Sequence, residues 1–437
     1  MYKCSLFHSN GCGHAGGVLL RDIVEQGSAG VSANRRAPAG VSKRQVRTAV
    51  YLLVVLTIGA YLPTPLYPAY QHAFEFSDLT MTLIYAMFAL VSAPALLVFG
   101  PASDTFGARV VLRVGIAVAA LASACFVFAS GPVLLLVGRA AQGLALGTAT
   151  GAATALIARH TTGGARTRAL PVASMAFVAG TAAGPIVAGM MAQYLPFPTV
   201  LPYGLHLALL AIGWFLVSTV ARLASRTEWR PTAPHVPASM RLRFTAAAAT
   251  GFLAWTAAGL FLAVIPSVLG RGAHVDNLAI TGGVVGAVLV CSVLVHPLVS
   301  RVGARRAQLA GLAALLLSLV ALALTGGASL PVTLAAAVVA GIGHGLGYGG
   351  ATAAVDEVAP DGQRGSINGP LYLVFYLGAG VPAVAVGLLT LWYSLDTAIS
   401  LLSIGAAALV PLAAVFLSSR VSTMIFGIRG SAVQEVT

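Results

Sequence analysis

Acidic residues are scarce in this chain: only 12 of 437 positions carry Asp or Glu. Charged residues of both signs reach 8%, against about 25% in soluble domains. That composition excludes a water-soluble globule. Cysteine occurs four times. Cys4 and Cys12 fall in the N-terminal tail, and Cys125 and Cys291 fall inside apolar runs, so no disulfide framework is expected. Cys4, His8, Cys12 and His14 match no standard metal-ligand spacing, and no metal is expected there. The loops lack a Walker A sequence, so ATP binding is not expected to drive this chain. Acids, histidines or a nucleophile–base pair are not gathered at one depth, as an enzyme site needs. The chain is read as a non-enzyme without a cofactor.

Apolar sequence is abundant instead. Hydrophobic residues make up 58% and mean hydropathy is +0.90. Runs long enough to cross about 30 Å of hydrocarbon fall at 47–70, 79–100, 110–130, 132–158, 169–193 and 200–223. Six more fall at 244–269, 278–300, 307–326, 331–355, 367–391 and 397–419. These twelve spans predict an all-α polytopic membrane protein whose solvent is the lipid bilayer. The domain reading is a disordered cytoplasmic tail over 1–46, a six-helix bundle over 47–223 and a cytoplasmic linker over 224–243. A second six-helix bundle covers 244–420 and a cytoplasmic tail 421–437. GGVLL is too short for the apolar core of a signal peptide.

The net charge of +13 raises the question of nucleic acid, but the positions of the charges answer it. With the N-terminus inside, the inner loops hold Arg109, Arg113, Arg159, Arg166, Arg168, Arg222 and Arg226. They also hold Arg230, Arg241, Arg243, Arg301, Arg305, Arg306 and Arg364, whereas the outer loops hold only Arg271. This asymmetry is the positive-inside pattern. It predicts a multi-pass protein of the inner or plasma membrane with both termini cytoplasmic, and no nucleic-acid partner.

The two sets of six spans repeat each other. VFGPASDTFGAR (98–109) lies over LVHPLVSRVGAR (294–305), matching Pro101, Gly107, Ala108 and Arg109 to Pro297, Gly303, Ala304 and Arg305. QGLALG (142–147) lies over HGLGYG (344–349), which sets His344 opposite Gln142. Arg166, Phe177, Gly180 and Gly189 lie over Arg364, Phe375, Gly378 and Gly387. Duplicated six-span halves are a transporter architecture, with the substrate site between halves near mid-membrane.

Three motifs carry a family resemblance. Gly100, Asp104, Gly107 and Arg109 match G-x-L-a-D-r-x-G-r-k between spans 2 and 3, with Ala102 for the leucine and Thr105 and Ala108 at two basic positions. Arg139, Gln142 and Gly143 match R-x-x-Q-G in span 4. Gly180, Gly184, Pro185 and Gly189 match G-x-x-x-G-P-x-x-G-G in span 5, with Ala188 at one glycine. The sequence resembles the major facilitator superfamily from about residue 47 to 420, and most of all its twelve-span drug:proton antiporter branch. The resemblance implies two pseudo-symmetric six-helix bundles, a monomer, a small-molecule substrate and protons as partners. It implies secondary active export of small, fairly apolar molecules by alternating access. The other reading on the same fold is a proton-coupled symporter or uniporter taking up a small solute.

Each constellation has a functional and a structural reading. In the family the Gly100–Arg109 turn is a breakable latch between the halves; otherwise it is a topogenic turn. Arg139 is the one basic residue well inside a span, where a charge is costly and is usually kept for function. It binds substrate or a coupling group, or it snorkels to the outer headgroups. Gly180 to Gly189 packs span 5 against the other half, or only packs. His344 is proton-linked or substrate-contacting, or a hydrogen-bonded packing residue. Tyr61, Tyr67, Trp255, Tyr348, Tyr372 and Tyr376 line an apolar cavity, or form interfacial belts. The G-x-G-x-x-G at Gly345, Gly347 and Gly350 lies inside a span and is not a nucleotide loop. No Asp or Glu occupies mid-span, so the group carrying a coupling ion is not visible in the sequence.

Overall fold

The structure is a computed structural model and describes residues 39–160, 169–220, 228–231, 235–359 and 364–418. Outside the described residues lie most of both tails, with Cys4, His8, Cys12 and His14, and also Arg166, Arg168, Arg222 and Arg226. The side chains of Arg159 and Arg364 lie outside them too.

All regular structure among the described residues is helical, and twelve helices are long and apolar enough to cross a membrane. Only helices and closed barrels satisfy their backbone groups in lipid. Spans 2 to 6 are Asp78–Phe99, Ala108–Val127, Pro132–His160, Ala169–Tyr194 and Leu201–Ser218. Spans 8 to 12 begin with Leu278–Val295 and continue as Ala304–Thr325, Leu330–Asp356, Arg364–Leu389 and Leu395–Ser418. Each lies within a few residues of its expected run.

Spans 1 and 7 are each built from more than one helical segment. Span 1 is Ala39–Tyr61, a 3-10 turn at Thr64–Leu66, then Tyr67–Phe74. Pro63 and Pro65 have no N–H to continue the ladder. Span 7 is Arg241–Ala263 followed by Ile265–Arg271, whose second residue is Pro266. Loops alternate between two ends of the molecule. The end holding the 2–3 and 8–9 loops is called the basic end here, and its opposite the far end.

The chain halves meet along two seams, span 5 against span 8 and span 2 against span 11. Glycines make both approaches close. Gly189 abuts Leu278 and Gly282, and Gly387 abuts Leu79 and Thr82. Spans 2 and 8 also start alike at the far end. Ser77 caps the first by accepting from Thr80 N, and Asn277 caps the second by accepting from Ala279 N and Ile280 N. Leu121, Leu294, Leu317 and Leu324 stand exposed on the outer faces, as lipid contact requires.

Candidate functional site

At the basic end, Gly107 sits at φ 82° and ψ 144° between the short helix Ala102–Phe106 and span 3. Its repeat partner Gly303 sits at φ 85° and ψ 150° before span 9. These torsions belong almost only to glycine, so the sequence repeat is also a backbone repeat. Gly100 lets span 2 meet span 4, where Gly151 lies against its backbone. Asp104 is exposed and Arg109 half-buried in the same turn. Trp229 of the linker stacks on Phe99 at 6.5 Å, just before it.

Arg139 does not reach toward the far surface; it is 1% exposed. Its Nη1 donates to Ala60 O and to Gln142 Oε1 at 2.9 Å, and its Nη2 donates to Tyr85 O at 3.3 Å. Gln142 Nε2 donates to Gly59 O at 2.7 Å. The reason lies in span 1. Pro63 cannot donate to the carbonyl four residues back, which is Gly59. An unpartnered carbonyl in a membrane core costs several kcal/mol. The R-x-x-Q pair therefore supplies the donors that the proline-broken helix lacks. Gly143, next in the motif, lets span 4 approach Phe88 O and Ser92 of span 2.

The guanidinium also lies over the rings of Phe88, at 4.7 Å, and Tyr85, at 5.6 Å. Phe88 joins the halves: Tyr61 meets it edge-on at 5.6 Å, and Tyr376 of span 11 does so at 6.2 Å. Tyr67, after the break in span 1, is buried as well. In the second half, Trp255, His344, Tyr348 and Phe375 pack ring to ring. Tyr372 stands edge-on to Phe375 at 5.8 Å. Tyr348 reaches the first half, where Ser174 Oγ donates to its hydroxyl at 3.4 Å. Tyr61, Tyr67, Trp255 and Tyr348 are all buried, so they do not form interfacial belts.

The span 5 motif divides between two neighbours, one in its own half and one in the other. Gly180 lies on Val54 and Thr57 of span 1, and Gly184 on Ile58 and Tyr61 of the same span. Only Pro185 and Gly189 face span 8, against Gly282 and Leu278. A helical face one turn wide per small residue reaches both neighbours because span 5 sits between them.

The far end carries a polar chain across the halves. Ser267 Oγ donates to Gln71 Oε1 at 2.8 Å, and Gln71 Nε2 donates to Asp78 Oδ1 at 2.9 Å. Arg271 then donates to both oxygens of Asp78. Ser267 and Arg271 are four residues apart on one short helix and so share its face. Nearby, Leu278 N donates to Gln193 Oε1 at 2.8 Å, again between halves.

Residues 50–383 match the description of the Major Facilitator Superfamily. The chain belongs to the major facilitator superfamily. Among the solved structures that share its fold are two transporters. One is described as a bacterial homolog to the human lysosomal transporter Spinster, in an inward-facing and unoccupied conformation. It has a TM-score of 0.67 and 14% identity, covering 87% of this chain and 97% of that one. The other is a POT family transporter in complex with 5-aminolevulinic acid. It has a TM-score of 0.71 and 11% identity, covering 89% and 98%. No curated protein sequence matches the chain significantly. The protein is thus a multi-pass membrane transporter of this superfamily.

For this superfamily member, sequence reasoning found the buried arginine and most of the central aromatics. It missed Phe88, one phenylalanine in an apolar run with nothing local to mark it. It also missed the Asp78–Arg271 pair. The only signal was that Arg271 is the single basic residue of the loops assigned to the far end.

Proposed function

We propose that this superfamily member is a secondary active exporter of small, fairly apolar molecules, working by alternating access in the inner membrane with proton antiport. The basic end would face the cytoplasm, following the positive-inside pattern. Two bundles, 47–223 and 244–420, would rock about the glycine seams between spans 5 and 8 and between spans 2 and 11. The observation that carries the reading is the aromatic contact of Phe88 with Tyr376 where the halves meet. Tyr61 meets the same Phe88, Tyr348 bonds Ser174 across the halves, and acids occur only at the ends of the described spans. Such a surface favours flat apolar solutes over strongly charged ones.

The Asp78–Arg271 chain acts as a clasp on the far side while the substrate is loaded from the cytoplasm. The Asp104 turn acts as the latch for the opposite state. Arg139 keeps the broken span 1 hydrogen-bonded next to the pathway, with its charge beside the tyrosines.

The test is accumulation in an efflux-deficient bacterial host across a panel of dyes, drugs and sugars. Lower accumulation on expression, reversed when the proton gradient is dissipated, is the expected result. Higher accumulation would overturn export in favour of uptake.

A further inference from the structure

The two halves treat one repeat position differently. In span 4, Gln142 uses both amide atoms, donating to Gly59 O and accepting from Arg139. At the matching point of span 10, His344 meets Ser292 through Nδ1 at 2.8 Å, while Nε2 has no hydrogen-bond partner among the described residues. Trp255 Nε1 has none either, and its ring stands edge to face against His344 at 4.8 Å. His344 is 0% exposed and Trp255 6%. Polar atoms left unpaired on two touching rings in so dry a place are costly, and a ligand that pairs with both recovers that cost.

We propose that Trp255 and His344 form a hydrogen-bonding subsite for a hydroxyl group on a neutral, flat aromatic substrate. An indole N–H can only donate, and a neutral imidazole whose Nδ1–H donates to Ser292 presents Nε2 as an acceptor. A hydroxyl answers both: its oxygen accepts from Trp255 and its proton goes to His344. The surrounding walls are aromatic. Tyr348 stacks on His344 at 5.4 Å and 13°, and Phe375 meets Tyr348 at 5.5 Å. Among the described residues, the hydrogen-bond and ring partners of Trp255 and His344 are Ser292 and neighbouring rings, none of them acidic. The rings touch, and the subsite is closed in this conformation. Tyr348 links it to Ser174 of the other half, so parting of the halves opens it. This inference rests on the transport reading above.

The test uses purified protein in detergent micelles and tritiated 2-naphthol, read by scintillation proximity. Naphthalene and N-methylquinolinium serve as competitors of the same flat shape. Unlabelled 2-naphthol is expected to compete at least several-fold better than either. Trp255→Phe keeps a ring and removes the donor, and weakens 2-naphthol binding roughly five- to tenfold. His344→Leu does the same, while His344→Gln, which retains an acceptor, largely preserves binding. Trp214→Phe, on an exposed face, is the control for tryptophan removal, and thermal unfolding identifies any variant that misfolds. Undiminished binding by folded Trp255→Phe overturns the subsite. So does naphthalene competing as well as 2-naphthol, or a wild type that binds neither. The two readings fail separately. Normal export with an unchanged binding pattern in the variants removes only the subsite. An intact binding pattern with no export in the accumulation panel removes only the transport direction.

Discussion

Arg271 grips both carboxylate oxygens of Asp78 across the boundary between the halves, at 2.6 and 3.1 Å. Asp78 starts span 2 and Arg271 ends the short helix that completes span 7, so any parting of the far end breaks this pair. The Arg271 side chain is 56% exposed, and exposed ion pairs are worth about 0.2–1 kcal/mol.

Asp78→Asn and Arg271→Gln are therefore expected to shift the balance toward far-end opening by up to about fivefold, without unfolding the protein. Spin labels placed on the two far-end loops, read by pulsed electron resonance distances, report the shift. Exchanging the pair, Asp78→Arg with Arg271→Asp, restores the wild-type distribution. An unchanged distribution in the single variants removes the clasp.

The donors supplied to span 1 give a second prediction. Gln142→Ala leaves Gly59 O without its partner and destabilises the protein by about 1–3 kcal/mol. Adding Pro63→Ala returns a backbone N–H that can reach the same carbonyl, and part of the loss is recovered. Thermal unfolding of the two single variants and the double variant measures the coupling. Simple additivity would mean that Gln142 does not act through the proline break.

Glycine contacts along the span 5–8 seam give a third. A Cβ on Gly189 would collide with the Leu278 carbonyl, whereas one on Gly283 meets nothing within 4 Å. Gly189→Ala is expected to cost about 1–3 kcal/mol, while Gly283→Ala is neutral or slightly stabilising. Melting temperatures in detergent decide it; equal values for the two would show that the seam yields freely.

The basic-end turns give the fourth. Gly107→Ala and Gly303→Ala each force a side chain into a glycine-only conformation and cost about 1–3 kcal/mol. Asp104→Asn leaves the backbone untouched, so expression and insertion stay normal while transport falls. Near-normal transport by Asp104→Asn would leave the turn a purely topogenic one.

What the sequence made legible was whatever repeats or runs locally. Twelve spans follow from apolar length, and the turn at Gly107 follows from a motif whose echo at Gly303 has the same torsions. Arg139 stood out because charge inside an apolar run is expensive. The partners of these residues were not legible. Ser267 finds Gln71 and Arg271 finds Asp78 across almost half the chain, and a hydroxyl, an amide or a single charge gives no sign of which distant helix it meets. Pro63 and Pro65 interrupt span 1, and the sequence alone placed no donors there. Only the packing of span 4 on spans 1 and 2 shows that Arg139 and Gln142 mend it. The direction of each span 5 glycine was hidden for the same reason, since spacing along a helix does not name the neighbour.

The matched turns at Gly107 and Gly303 mean that the molecule contains its own controlled experiment. Both bends turn on glycines of the same torsions, but one carries Asp104 and the other Ser300 at the matching step of the repeat. Moving the carboxylate between them, by Asp104→Ser with Ser300→Asp, asks whether the charge or its address in the chain governs the cycle.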